Sequence, residues 1–423
     1  MKLKRKSQAF ARLIAGAKQQ NFYPYFKPIS RSWGPEVEVD GRKLIMAGSN
    51  DYLGLTHDPR VMEAASQAIY RWGTGPGGSR FLSGNMSLHD ELEHRLAAFI
   101  GKKSAVVHTT GFLTNLGVLG SLATPADIIV CDREDHASIF EGCRSSGARI
   151  LPFAHNDRQA ARQKIEIALK KSPDASVFLI TEGVFSMSGD CADLPEMVKI
   201  KDDFPDLIFY LDDAHGLGVM GRGRGSAAHF NVTERMDYTM GTFSKAFGSI
   251  GGFIASDDED MLVYLKHHSK TLIFSAALPA SNTATVLKCL DIIEQEPERV
   301  DRLWEITERA RAGYKAIGLH TGESKSPIIP IIIGSEEKAS KFAAALYQAG
   351  VFALPALFPA VPKGQALVRT AYMSTHEERH IDQVLEILDK LAKEFKIRID
   401  DSEGNSSFPT SPPVDCLEGF EHM

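Results

Sequence analysis

The residues best suited to chemistry lie in TMGTFSKAFGSIGG, residues 239–252, and within it at Lys245. Thr242 and Ser244 stand before the lysine, and Gly248, Gly251 and Gly252 follow it. A lysine among small residues is poorly placed for solvent. Desolvation lowers an amine's pKa and makes it a nucleophile. The glycines let the backbone approach something bulky. Alone, a lysine near glycines is more often a surface-loop residue. The second half of the constellation lies upstream, in DLIFYLDDAHGLGVMG. There an apolar run, Leu207 to Leu211, ends in Asp212, and His215 follows three residues on. In open parallel sheets, ligands bind beyond the carboxyl ends of the strands, so Asp212 stands where a ligand would meet it. A buried carboxylate needs a cationic partner. A lysine that forms a Schiff base and an aspartate that keeps a pyridine nitrogen protonated are together what pyridoxal phosphate requires. The protonated ring is an electron sink for a carbanion.

These residues need strands and helices to hold them. SAVVHTTGFLTNLGVLGSL reads as strand, turn and helix, with Gly111 and Phe112 at the helix start, where free amides and the helix dipole attract a phosphate. Thr242 and Ser244 flank the lysine with hydroxyls. DIIVCDREDHASIFEGC repeats the pattern, with His136 near the helix start. Taken alone, that histidine is a cap. VFLITEGVFSMSGD gives the next strand, with Glu182 and Ser186 at its carboxyl end, facing the same crevice as Asp212. Helical patterns run over 58–72, 257–270 and 279–317, the last broken near Pro297, and HDELEHRLAAFIG is a helix ending at Gly101. Gly73, Gly75 and Gly78 match G-x-G-x-x-G but follow a helix. Gly216, Gly218 and Gly221 follow a strand but run into GRGRG, which cannot begin a stable helix. Neither is a dinucleotide site.

The 423 residues suffice for one large and one small domain. The expected division is an N-terminal helix and strand arm over 1–48, a large cofactor domain over 49–295, a small domain over 296–398 and a disordered acidic tail from 399. The net charge of −6 argues against nucleic-acid binding. Cys131, Cys143, Cys191, Cys289 and Cys416 form no CxxC pair and read as reduced thiols of a cytoplasmic protein, with no metal site. No apolar run reaches transmembrane length and no signal peptide opens the chain. Residues 1–20 form a basic amphipathic helix, with Phe10, Leu13, Ile14 and Ala17 on one face. Packing on a dimer is the favoured reading, and contact with an anionic membrane surface is the other. The short strands of FYPYFKPIS and VEVDGRKLIM turn at Asp40-Gly41.

Seven ordered blocks carry a resemblance: SNDYLGL, GTGPGGSRFLSG, TTGFLTN, DREDHASI, TEGVFSMSGD, DDAHGLGVMGRGRG and GTFSKAFG. From about Tyr23 to about Glu394 the chain resembles the α-oxoamine synthase family of fold type I pyridoxal phosphate enzymes. The resemblance implies an α/β fold with a mostly parallel sheet flanked by helices, and a smaller α+β C-terminal domain. It implies a homodimer with active sites at its interface, and a decarboxylative condensation of an amino acid with an acyl-CoA. In these terms Lys245 holds the cofactor and then removes the α-proton. Asp212 holds the ring nitrogen and His136 stacks on the ring. His215 lies near the phenolic oxygen or the acyl carbonyl. The hydroxyls of Thr242 and Ser244 go to the phosphate. Asn50 and Arg369 bind the amino-acid substrate, Arg369 through its carboxylate. The family also sends a residue into the partner's phosphate site, where this chain offers Ser275 followed by Ala276. YPYFKPI is most like the members that join L-serine to palmitoyl-CoA in sphingolipid biosynthesis. The alternatives are the alanine and pimeloyl-CoA branch, the glycine-using branch, an ordinary aminotransferase, and a catalytically silent heterodimer partner. The presence of Lys245, Asp212 and His136 together argues against the last.

Overall fold

The computed structural model describes residues 2–19 and 22–399. The expected disordered tail and Cys416 lie outside the described residues, save for Ile399. The chain divides into two compact units. One comprises residues 50–186 and 190–303. The other comprises 1–49, 187–189 and 304–423. The N-terminal arm therefore belongs to the same unit as the C-terminal part of the chain.

In that unit, an exposed helix, Lys2–Gln19, is followed by β1 (Ile29–Ser32), β2 (Glu36–Val39) and β3 (Arg42–Met46). Asp40 and Gly41 turn β2 into β3 with φ of 52° and 71°. Both left-handed positions suit a tight hairpin, which is why Asp-Gly stands there.

The larger unit is built on β4 (Ser104–His108), β5 (Ile128–Asp132), β6 (Arg149–Phe153), β7 (Val177–Glu182), β8 (Ile208–Asp212), β9 (Tyr238–Thr242) and β10 (Gly252–Ser256). They form one sheet in the order β4-β10-β9-β8-β7-β5-β6. The β8, β9, β7, β5 and β6 pairings are parallel, and β10 alone runs antiparallel to both neighbours. Alternate residues face opposite layers, as strand geometry requires. Ile128 and Val130 join Phe209 and Leu211 on one face, against Ile165, Leu194 and Met197. Ile129 and Cys131 join Tyr210 on the other, against Val118, Leu119 and Ile139. Helices cover both faces, so the strands read as unbroken apolar runs rather than alternating ones.

The remaining strands complete the other unit: β11 (Ile328–Gly334), β12 (Val351–Phe352), β13 (Leu354–Ala356) and β14 (Ala366–Ala371). The antiparallel sheet β11-β14-β13 buries Ile329, Ile331 and Val368 against Phe342, Leu346, Val384 and Leu388 of helices Glu336–Ala349 and Glu378–Phe395. β12 adds in parallel to β3, which ties the arm into this unit.

Two helix expectations hold in detail. Helix Ser87–Ile100 stops at Gly101, left-handed at φ 75°, where glycine avoids the Cβ clash. The long pattern after 279 is two helices, Ala280–Gln295 and Glu298–Ile317, parted at Pro297, because proline removes a helix donor. Glu93 of helix Ser87–Ile100 is buried. It pairs with Arg80, lies 2.8 Å from Lys266 Nζ, and accepts from the Val107 amide at 2.8 Å. Burial opposes its charge, yet these cations and donors hold its carboxyl below the usual range. Removing one side of such a buried pair costs about 3–5 kcal/mol. Glu93→Ala is therefore expected to lower the unfolding free energy by about that amount in urea titrations at pH 7. The loss should shrink as the pH falls through the carboxylate range, because a depressed carboxyl stabilises the fold only above its folded pKa.

Candidate active site

The carboxyl ends of β7, β8 and β9 lie side by side. Glu182 is in register with Asp212, and Asp212 with Met240. Lys245 follows in the turn beyond β9. His136, Glu182 and Asp213 each lie within electrostatic reach of both Asp212 and Lys245. The amine and the carboxylate, far apart in sequence, thus share one site. Lys245 is only half-buried and Ser244 is exposed. The expected dry setting is not what this chain alone provides, because the turn projects past the strand end.

Asp212 itself is 3% exposed. Its Oδ2 accepts from Asn115 Nδ2 at 2.6 Å, and its Oδ1 from the Ala214 amide at 3.0 Å. Asn115 comes from helix Gly111–Leu122, and its Oδ1 accepts from Tyr210 OH at 2.7 Å. Neither Asn115 nor Tyr210 stands out in the sequence as a site residue. The available signal was a lone amide in the apolar run GFLTNLGVLGSL, a helix that offers it no water.

His136 is the N-cap of helix Ala137–Ser146, as the plain reading of its position has it. Its Nδ1 lies 2.8 Å from Ser138 Oγ and accepts from the Ser138 amide at 3.2 Å. Phe112 meets its ring edge-on at 6.3 Å. The residue is exposed in this chain; partial desolvation of its ring lowers the imidazole's pKa, Asp212 raises it and Lys245 lowers it. Glu182 is buried at the end of β7. Burial, then Asp212, pushes this carboxyl well above its usual range.

The phosphate candidates converge on the start of helix Gly111–Leu122. Thr110 Oγ1 caps Leu113 at 3.0 Å. Among the described residues, the amides of Gly111 and Phe112 have no protein acceptor. A Cβ on Gly111 would sit 2.7 Å from Thr242 Oγ1 and 3.1 Å from Met240 Cε, so only glycine lets the helix start lie against β9. Thr242 Oγ1 donates to Gly251 O at 2.9 Å and lies 3.0 Å from Ser244 Oγ. The proton of Thr242 is thus committed to the backbone, and exposed Ser244 is the hydroxyl with freedom to turn outward. A helix start with two open amides, an adjacent hydroxyl, a buried aspartate and a lysine in electrostatic reach fit pyridoxal phosphate.

His215 is buried, with Nδ1 2.8 Å from Tyr52 OH, and Tyr52 OH lies 3.4 Å from Asn50 Oδ1. The structure thus links two expected site residues through a tyrosine that was not foreseen. Ser186 is half-buried past the end of β7. Arg369 belongs to the other unit, on β14 opposite Pro330 of β11 and Leu354 of β13. Ser275 follows helix Lys270–Ile273 in a turn.

Behind the site lies a run of buried acids. Asp135 is pushed well above its usual range by burial, then by Asp132, Glu182 and Asp212. The matching cation is His155, with Nδ1 3.0 Å from Asp132 and Nε2 2.9 Å from Asp190. Burial disfavours its charge, but the two carboxylates win and raise it to about 11. A raised pKa stabilises the fold fully below the unfolded value, near 6.5, and that stability is lost as the pH rises toward 11. Urea midpoints measured from pH 6 to 10 should fall more steeply for the wild type than for His155→Gln. Parallel curves would show that His155 carries no extra proton in the fold.

The sequence profile of the family described as Aminotransferase class I and II matches residues 42–388. A serine palmitoyltransferase of Bacteriovorax stolpii is 43% identical over 90% of this chain and 90% of its own. An 8-amino-7-oxononanoate synthase of Thermoanaerobacter pseudethanolicus is 39% identical, over 86% of this chain and 91% of its own. Among solved structures, a serine palmitoyltransferase variant from S. paucimobilis, holding pyridoxal phosphate joined to myriocin, is 30% identical. It matches with a TM-score of 0.88 over 92% of this chain and 99% of its own. The expected fold type I architecture is thereby confirmed, and the chain belongs to the aminotransferase class I and II family.

Proposed function

We propose that the protein is a pyridoxal phosphate-dependent acyltransferase that condenses L-serine with palmitoyl-CoA, giving 3-oxosphinganine, CoA and CO2, the first step of sphingolipid assembly. The observation that carries the cofactor reading is the shared environment of Asp212 and Lys245, both within reach of His136, Glu182 and Asp213. The serine and palmitoyl reading is supported by the relatives named serine palmitoyltransferase, which are 41–44% identical to this chain.

The Gly111 and Phe112 amides and the Ser244 hydroxyl would hold the phosphate, Thr242 would place Ser244 beside them, and Ser186 and Glu182 would line the crevice. Asp212 would face the ring nitrogen, His136 the ring face and Lys245 the aldehyde carbon. When bound, the cofactor supplies an electron sink for the pair of electrons left on the substrate Cα. Lys245 Nζ would take the α-proton as general base. The resemblance assigns the serine carboxylate to Arg369, through its planar fork, and a substrate role to Asn50. That clamp fixes which Cα bond stands ready to break, and so favours condensation over transamination. His215, braced by Tyr52, would serve the phenolic oxygen or the acyl carbonyl. Cα bonds to the thioester carbon, the C–S bond breaks to release CoA, and the Cα–carboxylate bond breaks to release CO2. A proton then returns to Cα.

We assign the active form to a cytoplasmic homodimer. Support comes from exposed apolar residues in the larger unit, Leu82 at 79% and Phe274 at 82%. The loops that bear them are joined by the Ala277 amide donating to Gly78 O at 2.9 Å. Among the described residues, no helix is long and apolar enough to cross a membrane. The basic helix Lys2–Gln19 exposes Leu3, Phe10 and Leu13, and it can dock on the partner or rest on an anionic lipid surface.

The test is a matrix of serine, alanine and glycine against palmitoyl-CoA and pimeloyl-CoA, scored by thiol release and product mass. Serine with palmitoyl-CoA is expected to release thiol at least tenfold faster than any other pair. Fastest release from alanine with pimeloyl-CoA would replace this reading with the oxononanoate branch.

A further inference from the structure

We propose that Asn115 is a positioning residue that couples two halves of the site: it orients the Asp212 carboxylate and, through Ser138, fixes the His136 imidazole as the tautomer protonated on Nε2. The argument is one of counting protons along a chain of hydrogen bonds. Asn115 Nδ2 has two hydrogens and two acceptors, Asp212 Oδ2 at 2.6 Å and Ser138 Oγ at 2.9 Å. Tyr210 OH lies 2.7 Å from Asn115 Oδ1 and donates to it. The reversed amide would set a carbonyl oxygen against a carboxylate oxygen at 2.6 Å, so the amide has only one workable orientation. All these groups are buried, so water cannot substitute for a missing partner.

The chain continues in one direction. Ser138 Oγ receives a hydrogen from Asn115, so its own proton is free to point at His136 Nδ1, 2.8 Å away. The Ser138 amide donates to the same nitrogen at 3.2 Å. Two donors converge on Nδ1, which therefore bears a lone pair. The neutral ring must carry its hydrogen on Nε2. Asp212 and His136 are thus set by one amide rather than separately. A loss at Asn115 loosens both.

The assignment of a tautomer concerns the protein without its cofactor. Its consequence, a ring face of defined polarity beside Asp212, rests on the cofactor reading above. The measurement separates the two. Protein with 15N-labelled histidine is freed of cofactor, and long-range proton–nitrogen correlation spectra are recorded from pH 6 to 9. The His136 signals are identified by their loss in His136→Gln. The expected wild-type pattern for the neutral ring is a single Nε2–H tautomer. Asn115→Leu removes the donor that fixes Ser138, and a mixture of both tautomers is expected. Ser138→Ala, a milder change, keeps the amide donor and should shift the populations less. A wild-type His136 protonated on Nδ1, or variants that keep the wild-type pattern, would overturn the proposal. A second readout uses the loaded protein: Asn115→Leu should weaken retention of pyridoxal phosphate at least tenfold by absorbance titration, and unchanged retention would remove Asn115 from the support of Asp212. If the tautomer result holds but wild-type protein binds no pyridoxal phosphate, the cofactor reading fails while the hydrogen-bond assignment stands.

Discussion

The hydrogen bonds that the Asn115 amide and the Ala214 amide make to Asp212 are the constraint on which the site depends. A carboxylate at 3% exposure cannot rely on water to aim it. It has to be aimed by protein groups, and those come from two elements. One is the turn that follows β8. The other is helix Gly111–Leu122, whose start is also the phosphate candidate. The helix therefore relates two ends of the site by a fixed rise per residue, and Gly111 is what allows that helix to approach β9 closely.

Charge explains the rest of the neighbourhood. Asp132, Asp135, Glu182, Asp212 and Asp213 are all buried around the ends of β5, β7 and β8. So many acids in one place force protons onto some of them, and burial pushes Asp135 and Glu182 well above their usual range. The counter-charges are His155 on the far side and Lys245 on the near side. A ring bearing a protonated nitrogen adds a third cation where the acids are densest. The arrangement favours a cationic ligand over a neutral one, which is the electrostatic form of the cofactor reading.

Much of this was legible in the sequence, and the reasons differ by residue. Asp212 was visible because an apolar strand ends on it. Gly111 was visible because a glycine at a strand-to-helix turn has few other uses. The break at Pro297 and the Asp40-Gly41 turn follow from backbone chemistry alone. Asn115, Ser138, Tyr210 and Tyr52 were not read, because each looks ordinary within its own element and acquires meaning only from partners roughly twenty to a hundred and sixty residues away. The same holds for the pairing of β3 with β12, which draws the N-terminal arm into the C-terminal unit. Local pattern does not encode partners that are distant in the chain. Lys245 is the instructive middle case: its turn follows β9 near Asp212, as its sequence position suggests, while its half-exposed setting depends on what else covers the turn.

The central claim is that Lys245 is the residue that bonds to pyridoxal phosphate. The direct measurement is to load the purified protein with the cofactor, reduce it with borohydride, digest it and locate the added pyridoxyl mass by mass spectrometry. The account predicts that mass on Lys245 and on no other lysine. Recovery of an unmodified Lys245 peptide, or a label on a different lysine, would contradict it.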